Sequence, residues 1–525
     1  MRSDPLSRTG ILLTLLVLLA AYGFLLAEPI HLATADLGRH LKNGQLFIEN
    51  GVIPKTNLYS YTFPDHPFLN HHWGSGVLFF WVHRLAGFPG LSVFFILLSL
   101  ATFLLFFHVA CAFSRFEVAA VASAIAIPLL ATRIEIRPEV FSYFLCGIFF
   151  WILAHEKNRA IPSWTLFLLP FLEIAWVNLH IYFFMGVLLI GVFILEDFVA
   201  YFSRRELQAS GRLKGLLLVA VLTLCVCVLN PFGISGVLYP FNIWKDYGYL
   251  VAENRPIWLL EKIIRYPPAF YFKVVFGWLV SGWVYAAVQA AKGKGAISAV
   301  AVMLSVMLSV AGWLAPRNFV LFGYFVLPLS AAFFHGLFPS KGSQGGGVPG
   351  IVSLMLVLVI LSGGLAIQSG YWRTRGPRGI GLKEGVEGSA QFFLKEGIQG
   401  PVLNNYDIGG YLIYELYPRQ PVFVDNRPEA YPSSFFQEIY IPLQEREEKW
   451  HEEQEHYGFN CIFFGRHDLT PWGQRFLIQR VSDPAWAPVY VDDDAILFLR
   501  RGGPNESVIR QYELPKSMFQ VTRFT

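Results

Sequence analysis

Long apolar stretches alternate with short polar turns over most of the chain. A membrane-spanning helix needs about 20 mainly apolar residues, although somewhat shorter ones are tolerated. The pattern therefore predicts a polytopic α-helical membrane protein with about eleven transmembrane helices. The candidate spans are residues 9–27, 90–113, 117–132, 139–154, 163–179, 181–203, 214–230, 268–291, 297–315, 318–338 and 349–369.

One further apolar stretch, Ser75–Ala86, is short and contains His83 and Arg84. Cytoplasmic loops of membrane proteins carry an excess of lysine and arginine. If Ser75–Ala86 lies in the membrane interface, the basic segment 203–214 is cytoplasmic together with the N-terminus. If it spans, that segment falls outside. We therefore predict an interfacial segment, a cytoplasmic N-terminus and an extracytoplasmic C-terminus in a cell inner (plasma) membrane.

The predicted topology divides the chain into two domains. Residues 1–371 form a transmembrane domain that includes an outer loop over residues 28–89. Residues 386–525 have the composition of a water-soluble domain, which this topology places outside the cell membrane. Strands are predicted in this second domain at 401–404, 420–425, 461–464 and 495–500, and helices at 389–396, 433–440 and 445–457. This alternation is typical of a small α/β domain.

Composition supports the membrane assignment and excludes two other classes. Only 15% of the residues are charged, against about 25% in soluble proteins, so the chain cannot cover a soluble surface of its size. A net charge of +4 with no basic tract argues against a nucleic-acid partner. The five cysteines imply no disulfide framework.

The first outer loop contains a predicted amphipathic helix, because apolar residues recur at helical spacing from Leu37 to Ile48. Its other face is polar and would turn to water or to a site. Asp36 either complements the helix dipole, after an N-cap at Thr34, or belongs to a functional site. The polar residues are Asp36, Arg39, His40 and Asn43.

Adjacent histidines, His71 and His72, precede Trp73 and the interfacial segment. Neighbouring side chains point in different directions on a helix or a strand, so the pair is a weak signal for zinc or manganese. Hydrogen bonding at the interface beside a tryptophan anchor is the alternative.

The outer turn from Arg133 to Glu139 concentrates two arginines and two acids. Its charges either pair with one another or bind an anion or a sugar, since the planar guanidinium matches phosphate oxygens. Arg317, at another outer helix end, either reaches lipid headgroups or holds a phosphate.

A second polar group lies around the end of the span at 163–179. Glu173, Trp176 and His180 are spaced to share one helix face. An ionisable group at the depth of Glu173 is costly and marks a functional site by default, although a structural Glu173–His180 hydrogen bond is the alternative.

These motifs together resemble those of the GT-C superfamily of membrane glycosyltransferases. That superfamily includes protein O-mannosyltransferases, the lipid A aminoarabinose transferase and oligosaccharyltransferase catalytic subunits, and the chain looks similar to a bacterial, mostly uncharacterised branch. The resemblance rests on short segments spread over nearly the whole chain: 35–40, 137–139, 176–180, 230–233, 316–318, 404–411 and 424–427.

The resemblance implies an inverting transfer of a sugar from a polyprenyl-phosphate carrier to an acceptor hydroxyl on the extracytoplasmic side. Asp36 would be the catalytic base or orienter, and Arg133, Arg137 and Arg317 would stabilise the departing phosphate. The remaining candidates for substrate binding are Arg39, His40, His72, Glu139, Glu173, Asn178 and His180. The loop motif has a single acid where several families have a pair, so a divalent metal stays open as a cofactor without assigned ligands.

Two other functions stay open at this point. A transporter or flippase of lipid-linked saccharide would place essential charges near the bilayer midplane, and a non-catalytic envelope assembly protein would need no catalytic acid. Membrane lipids and a polyprenyl-phosphate sugar are the expected partners, while the acceptor is unknown. The C-terminal domain is interpreted as a lid or an acceptor-binding module over the outer face.

Overall fold

The computed structural model describes residues 5–204, 207–244, 247–249, 251–294, 297–337 and 350–519. Several predicted ranges include a few residues outside this part of the chain, namely the basic segment 203–214, the spans ending at 338 and beginning at 349, and the end of the C-terminal domain.

The first half of the chain is helical, with a short helix in the first outer loop between two long ones. Its helices are α1 (Pro5–Leu26), α2 (Leu37–Asn50), α3 (Trp73–Phe113), α4 (Phe116–Leu130), α5 (Glu139–Lys157), α6 (Leu168–Leu179), α7 (Phe184–Arg204) and α8 (Leu207–Val226).

The helices that follow complete the bundle and lead to the C-terminal domain. They are α9 (Ile234–Leu238), α10 (Ile257–Ile263), α11 (Pro267–Ala291), α12 (Ala299–Leu314), α13 (Phe319–Phe333), α14 (Gly350–Ile367) and α15 (Ser369–Thr374). Short 3₁₀ turns at Ile181–Phe183 and Pro316–Asn318 join α6 to α7 and α12 to α13.

Each of the eleven predicted spans is occupied by helix. Within the described residues, six helices are long and apolar enough to cross a membrane, and three shorter helices are also apolar. The chain is thus a mainly helical protein with several membrane-length helices, and the number that cross stays a prediction.

Helix α3 is broken at Gly87, where φ is 62° and ψ is −164°. This backbone conformation is readily available only to glycine, which has no Cβ. The break separates the interfacial stretch predicted at Ser75–Ala86 from the long apolar helix that follows it.

The bundle closes around α13, which is buried along nearly its whole length. It packs against α3, α4, α11 and α12. Phe106 stacks on Tyr324 with ring centroids 5.4 Å apart, and Phe325 meets the edge of Phe106 at 4.9 Å. Aromatic packing of this kind holds α3 and α13 together inside the bundle.

The C-terminal domain is a small four-stranded sheet flanked by helices. The strands are β1 (Val402–Asn404), β2 (Cys461–Gly465), β3 (Trp486–Val491) and β4 (Ala495–Arg500), in the order β1-β2-β4-β3. β1 pairs parallel to β2, and the other pairs are antiparallel. Its helices are α16 (Gly388–Lys395), α17 (Gly409–Leu416), α18 (Ile441–Glu445), α19 (Glu447–Tyr457), α20 (Gly473–Ser482) and α21 (Glu506–Tyr512).

The strand predicted at 420–425 is wrong, and β3 was not predicted. Residue Val422 instead bridges in parallel to Ser60 of the first outer loop. The Val422 amide donates to Tyr59 O at 2.9 Å, and the Tyr61 amide donates to Val422 O at 3.1 Å. The segment is extended because it pairs with the loop and not with the sheet.

A buried charge fixes this contact between loop and domain. Arg427 and Asp425 are both fully buried, and Arg427 Nη2 lies 2.6 Å from Asp425 Oδ2. The same nitrogen donates to Asn57 Oδ1 of the loop at 2.7 Å. The guanidinium also lies over the rings of Tyr59 and Phe68, 5.2 and 4.5 Å from their centroids.

Replacing Arg427 by alanine should destabilise the C-terminal domain and its contact with the loop. The change leaves the Asp425 carboxylate buried without its partner, which costs about 3–5 kcal/mol. Thermal unfolding of the purified protein, followed by tryptophan fluorescence, should show a clearly lower melting temperature.

The matched control is Arg475→Ala, which removes an exposed arginine of the same domain. Its effect on the free energy of unfolding should stay within about 0.5 kcal/mol. Equal melting temperatures for both variants would contradict a stabilising role for the buried pair.

Candidate functional site

The polar face of α2 is buried against the rest of the protein and does not face water. Arg39, His40 and Asn43 are 6%, 2% and 3% exposed. The helix begins at Leu37, and Asp36, which precedes it, makes no side-chain capping bond. The N-cap predicted at Thr34 is therefore wrong, and the Asp36 carboxylate is used elsewhere.

The Asp36 carboxylate lies between the helical bundle and the C-terminal domain. Arg137 Nη1, from the turn before α5, is 3.5 Å from Asp36 Oδ2. On the other side, Asn426 Nδ2 donates a short hydrogen bond to Asp36 Oδ1. Two segments far apart in the chain thus meet the candidate acid.

The charges of the outer turn pair with one another, which is the first of the two interpretations given above. Arg133 Nε donates to Glu139 Oε1 at 2.5 Å. Arg137 Nε donates to Glu135 Oε2 at 2.6 Å. Both arginines keep further N–H groups directed at the same region, so pairing does not exclude an anion contact.

Glu253 joins this cluster, although it was not among the predicted residues. It lies in a 3₁₀ turn, Ala252–Asn254, of the outer loop before α10. Arg133 Nη1 donates to Glu253 Oε1 at 2.7 Å, and Arg137 Nη1 is 3.6 Å from Oε2. Burial opposes ionisation, but the two guanidinium groups prevail and hold the pKa of Glu253 well below its ordinary value.

Four histidine rings lie next to the arginine cluster. The His72 ring stacks on His180, with centroids 4.9 Å apart, and contacts His71 at 3.9 Å and His40 at 5.7 Å. Burial lowers the pKa of His40 and of His72 well below the ordinary value, and lowers that of His71 to about 4. Among the residues that the structure describes, none is a hydrogen-bond partner of Nδ1 of His40 or of His72.

The tautomer of His180 follows from its partners. Trp176 Nε1 donates to Ser142 Oγ at 2.7 Å, which leaves the Ser142 hydroxyl free to donate to His180 Nδ1 at 2.7 Å. The backbone amide of Tyr182 approaches the same nitrogen at 3.4 Å. A neutral His180 therefore carries its proton on Nε2.

Arg317 lies within electrostatic range of both groups. Burial is the main cause of the lowered pKa of His180, and the positive charge of Arg317 lowers it further. The same charge also helps to lower the pKa of Glu253, although the other arginines contribute more. The next residue, Asn318, accepts a hydrogen bond from Tyr182 Oη at 3.1 Å. The three arginines predicted from separate helix ends, Arg133, Arg137 and Arg317, thus lie in one region.

The side chains of two predicted residues make structural contacts outside this cluster. Glu173 is fully buried, with Cys227 Sγ 3.5 Å from Oε1 and with Oε2 against Gly186. The suggested Glu173–His180 hydrogen bond is wrong, because α6 ends at Leu179 and His180 has an extended backbone.

The second of these two residues is Asn178. Its side chain accepts from Trp73 Nε1 at 2.9 Å and donates to the carbonyl groups of Ile174 and Leu229. These bonds join the interfacial part of α3 to the end of α6 and to the loop after α8. They give Asn178 a structural place beside the site.

A small hollow of about 110 Å³ lies next to the segment that carries the candidate acid, and Ala35, Leu37 and Glu135 form part of its wall. Asp36 itself does not line this hollow. Its side chain is 21% exposed.

The donor groups around Asp36 do not fit a resident divalent metal. Asp36, Glu135, Glu139 and Glu253 each have an oxygen facing an arginine nitrogen. A cation bound to Asp36 Oδ1 would have to displace Asn426, and one bound to Oδ2 would lie against the positive charge of Arg137. Across the described residues, no three histidine, cysteine or acidic side chains are placed to hold a metal ion.

Comparison with solved structures identifies the fold. The archaeal oligosaccharyltransferase AglB from Archaeoglobus fulgidus, in complex with an inhibitory peptide and a dolichol-phosphate, superposes with a TM-score of 0.63 at 10% sequence identity, covering 96% of this chain and 75% of that one. The chain shares the overall fold of this membrane oligosaccharyltransferase.

Two further solved structures share this fold. The A. fulgidus enzyme in complex with Zn and sulfate has a TM-score of 0.54 at 11% identity, covering 93% of this chain and 73% of that one. Arabinofuranosyltransferase AftD from Mycobacteria has a TM-score of 0.51 at 15% identity, covering 95% and 40%. No protein-family model and no curated protein matches the chain.

The arrangement combines a carboxylate that can accept a proton with cations that can bind an anion. Asp36 has one oxygen, Oδ2, at a distance from Arg137 longer than a hydrogen bond. Arg133, Arg137 and Arg317 supply positive charge on one side of it. Such a site can activate a hydroxyl and stabilise a departing phosphate.

The C-terminal domain contributes an acid of its own, Asp407, which faces the same cluster. The residue is exposed, but surrounding protein atoms keep water from its carboxyl group and so raise its pKa to about 7. The negative charges of Asp468, Asp36 and Glu135 raise this pKa as well. The folded protein therefore binds this proton more tightly than the unfolded chain, whose aspartate titrates near pH 3.9.

Replacing Asp407 by asparagine should stabilise the protein at neutral and alkaline pH. Ionisation of Asp407 costs stability as the pH rises from about 4 through 7, since its pKa is higher in the folded state. The melting temperature of Asp407→Asn relative to wild type should therefore increase from pH 5 to pH 8. A difference that is the same at both pH values would contradict the raised pKa.

Proposed function

We propose that the protein is a glycosyltransferase that moves a sugar from a polyprenyl-phosphate carrier to an acceptor hydroxyl on the extracytoplasmic side of the membrane. The observation that carries the proposal is the meeting of Asp36 with Arg137, beside Arg133 and Arg317, in a chain with the GT-C fold. The dolichol-phosphate bound to AglB supports a lipid-linked donor.

In the proposed reaction, Asp36 acts on the acceptor. A hydroxyl is a weak nucleophile, and a positioned carboxylate can take its proton as the oxygen attacks the anomeric carbon. The bond between that carbon and the phosphate oxygen breaks, so the configuration inverts. The proton ends on Asp36 Oδ2, and the electron pair leaves with the lipid phosphate.

The arginines act on the leaving group. The phosphate gains negative charge as the glycosidic bond breaks, and fixed cations stabilise that charge most in the transition state. Arg137 is the candidate nearest to Asp36, with Arg133 and Arg317 beside it. Their acidic partners Glu135, Glu139 and Glu253 would hold the guanidinium groups in place before the donor arrives.

The alternative functions have less support. A transporter is expected to place polar groups along a path near the bilayer midplane. Glu173 is the predicted site residue that comes deepest into the bundle, and its oxygens lie against Cys227 and Gly186. A non-catalytic assembly protein would not need a carboxylate held between an arginine and an amide.

Replacing Asp36 by asparagine should lower sugar transfer by about 10²- to 10⁴-fold, the range expected when a general base is lost. The assay uses purified protein with a panel of polyprenyl-phosphate sugars, and both transfer and hydrolysis are measured. Binding of the lipid-linked donor should change little, because the arginines remain.

Asp65→Asn is the matched control, since Asp65 is an exposed aspartate of the same outer loop. It should keep wild-type activity. A wild-type protein that neither transfers nor hydrolyses any donor, or an Asp36→Asn variant with full activity, would argue against the proposed function. Addition of a chelator tests for a metal separately.

The proposed orientation can be tested by cysteine labelling in intact cells. Leu469 is 95% exposed in the C-terminal domain, and Lys294 is exposed between α11 and α12. A membrane-impermeant maleimide should label Leu469→Cys in intact cells, but Lys294→Cys only after permeabilisation. Wild-type protein gives the background of the five native cysteines, and the reverse pattern would contradict the orientation.

A further inference from the structure

The C-terminal domain places one amide directly on the candidate catalytic acid. Asn426 Nδ2 donates to Asp36 Oδ1, and Asn426 Oδ1 accepts from Arg39 Nε at 3.2 Å. The bundle and the C-terminal domain therefore share one chain of hydrogen bonds, from Arg39 through Asn426 to Asp36.

Chemistry determines which way the Asn426 amide points. The Arg39 guanidinium has donors only, so it must face the amide oxygen. An ionised Asp36 carboxylate has acceptors only, so it must face the amide nitrogen. Each end of the amide thus has a single suitable partner. A reversed amide would place its NH₂ group against the donors of Arg39 and its oxygen against the acceptors of Asp36.

The backbone on both sides of Asn426 is fixed. Arg427, the next residue, is held in the buried contact with Asp425 and Asn57. Helix α17 crosses α2 so closely that a Cβ added at Gly38 would lie 2.7 Å from Gly410 O. A Cβ added at Gly410 would lie 3.0 Å from Asn426 Nδ2. The two helices are thus packed backbone to backbone beside the amide, which places Asp36 and Asn426 in one closely packed region.

We propose that Asn426 is a positioning residue, through which the C-terminal domain holds the Asp36 carboxylate in one orientation, with Oδ2 turned to the acceptor proton. This inference rests on the proposed function. The amide occupies Oδ1 and thereby fixes the rotation of the carboxylate. Oδ2 then remains the basic oxygen, with Arg137 Nη1 at 3.5 Å.

The test compares Asn426→Ala and Asn426→Asp with wild type in steady-state transfer assays. The aspartate side chain of Asn426→Asp has nearly the same shape as asparagine and keeps an oxygen that can accept from Arg39. In place of the NH₂ group that donates to Asp36, it has a second carboxylate oxygen. Both variants should lower kcat by about 10- to 100-fold, as expected for a misplaced catalytic group. The KM for the lipid-linked donor should stay within about two-fold, since the arginines are untouched.

The pH profile separates positioning from a merely structural role. Loss of a donor to the carboxylate, and still more a new negative charge beside it, favours protonated Asp36. The acid limb of kcat/KM should therefore move to higher pH in Asn426→Ala and further in Asn426→Asp. The other charged groups around Asp36 are unchanged: Arg137 and Asp407, which interact with it directly, and Arg39, Glu135 and Glu253, which contact Asn426 or Arg137.

Asn460→Ala is the matched control, because it removes an asparagine of the same domain that bonds to Gly400 O and not to the site. It should leave kcat and the acid limb as in wild type. If Asp36→Asn abolishes transfer while both Asn426 variants behave like Asn460→Ala, the positioning role is overturned and the proposed function stands. A wild-type protein inactive with every donor overturns both.

Discussion

The site depends on holding one carboxylate, that of Asp36, between an arginine of the helical bundle and an amide of the C-terminal domain. An acid just after a first transmembrane helix would otherwise turn to water or to its own helix. Here Arg137 and Asn426 fix it from opposite sides. Glu135 and Glu253 hold Arg137, and the buried Arg427–Asp425 pair holds the residues on either side of Asn426.

The arginine cluster shows why charges gather at this surface. Arg133 and Arg137 are each held by acids from two different segments, the outer turn and the loop that contains Glu253. Such a network keeps the guanidinium groups in place without an anion and leaves N–H groups available for one. The neighbouring histidines are neutral by virtue of their burial, so they add polar surface to this region without further positive charge.

The bilayer made most of the fold predictable from sequence, because each spanning helix has to present a long apolar run. The meeting of Asp36 with Arg137 could also be expected, since both lie at predicted outer helix ends. Glu253 could not, because a lone acid in an outer loop carries no local signal. Strand β3 has no clear strand pattern in the sequence because it contains Pro488, a residue that cannot donate to a sheet. Residues 420–425 do have such a pattern, because pairing with a loop requires the same extended backbone. The end of α6 at Leu179, which separates His180 from Glu173, depends on tertiary contacts.

The distance along the chain between Asp36 and Asn426 has a consequence for biosynthesis. The two residues are 390 positions apart, so a ribosome completes almost the whole polypeptide before the acid can meet its amide partner. Insertion of the helices and folding of the last domain must both finish first. A truncated or stalled nascent chain would already contain the acid and the arginines, but it would lack the amide that donates a hydrogen bond to the acid.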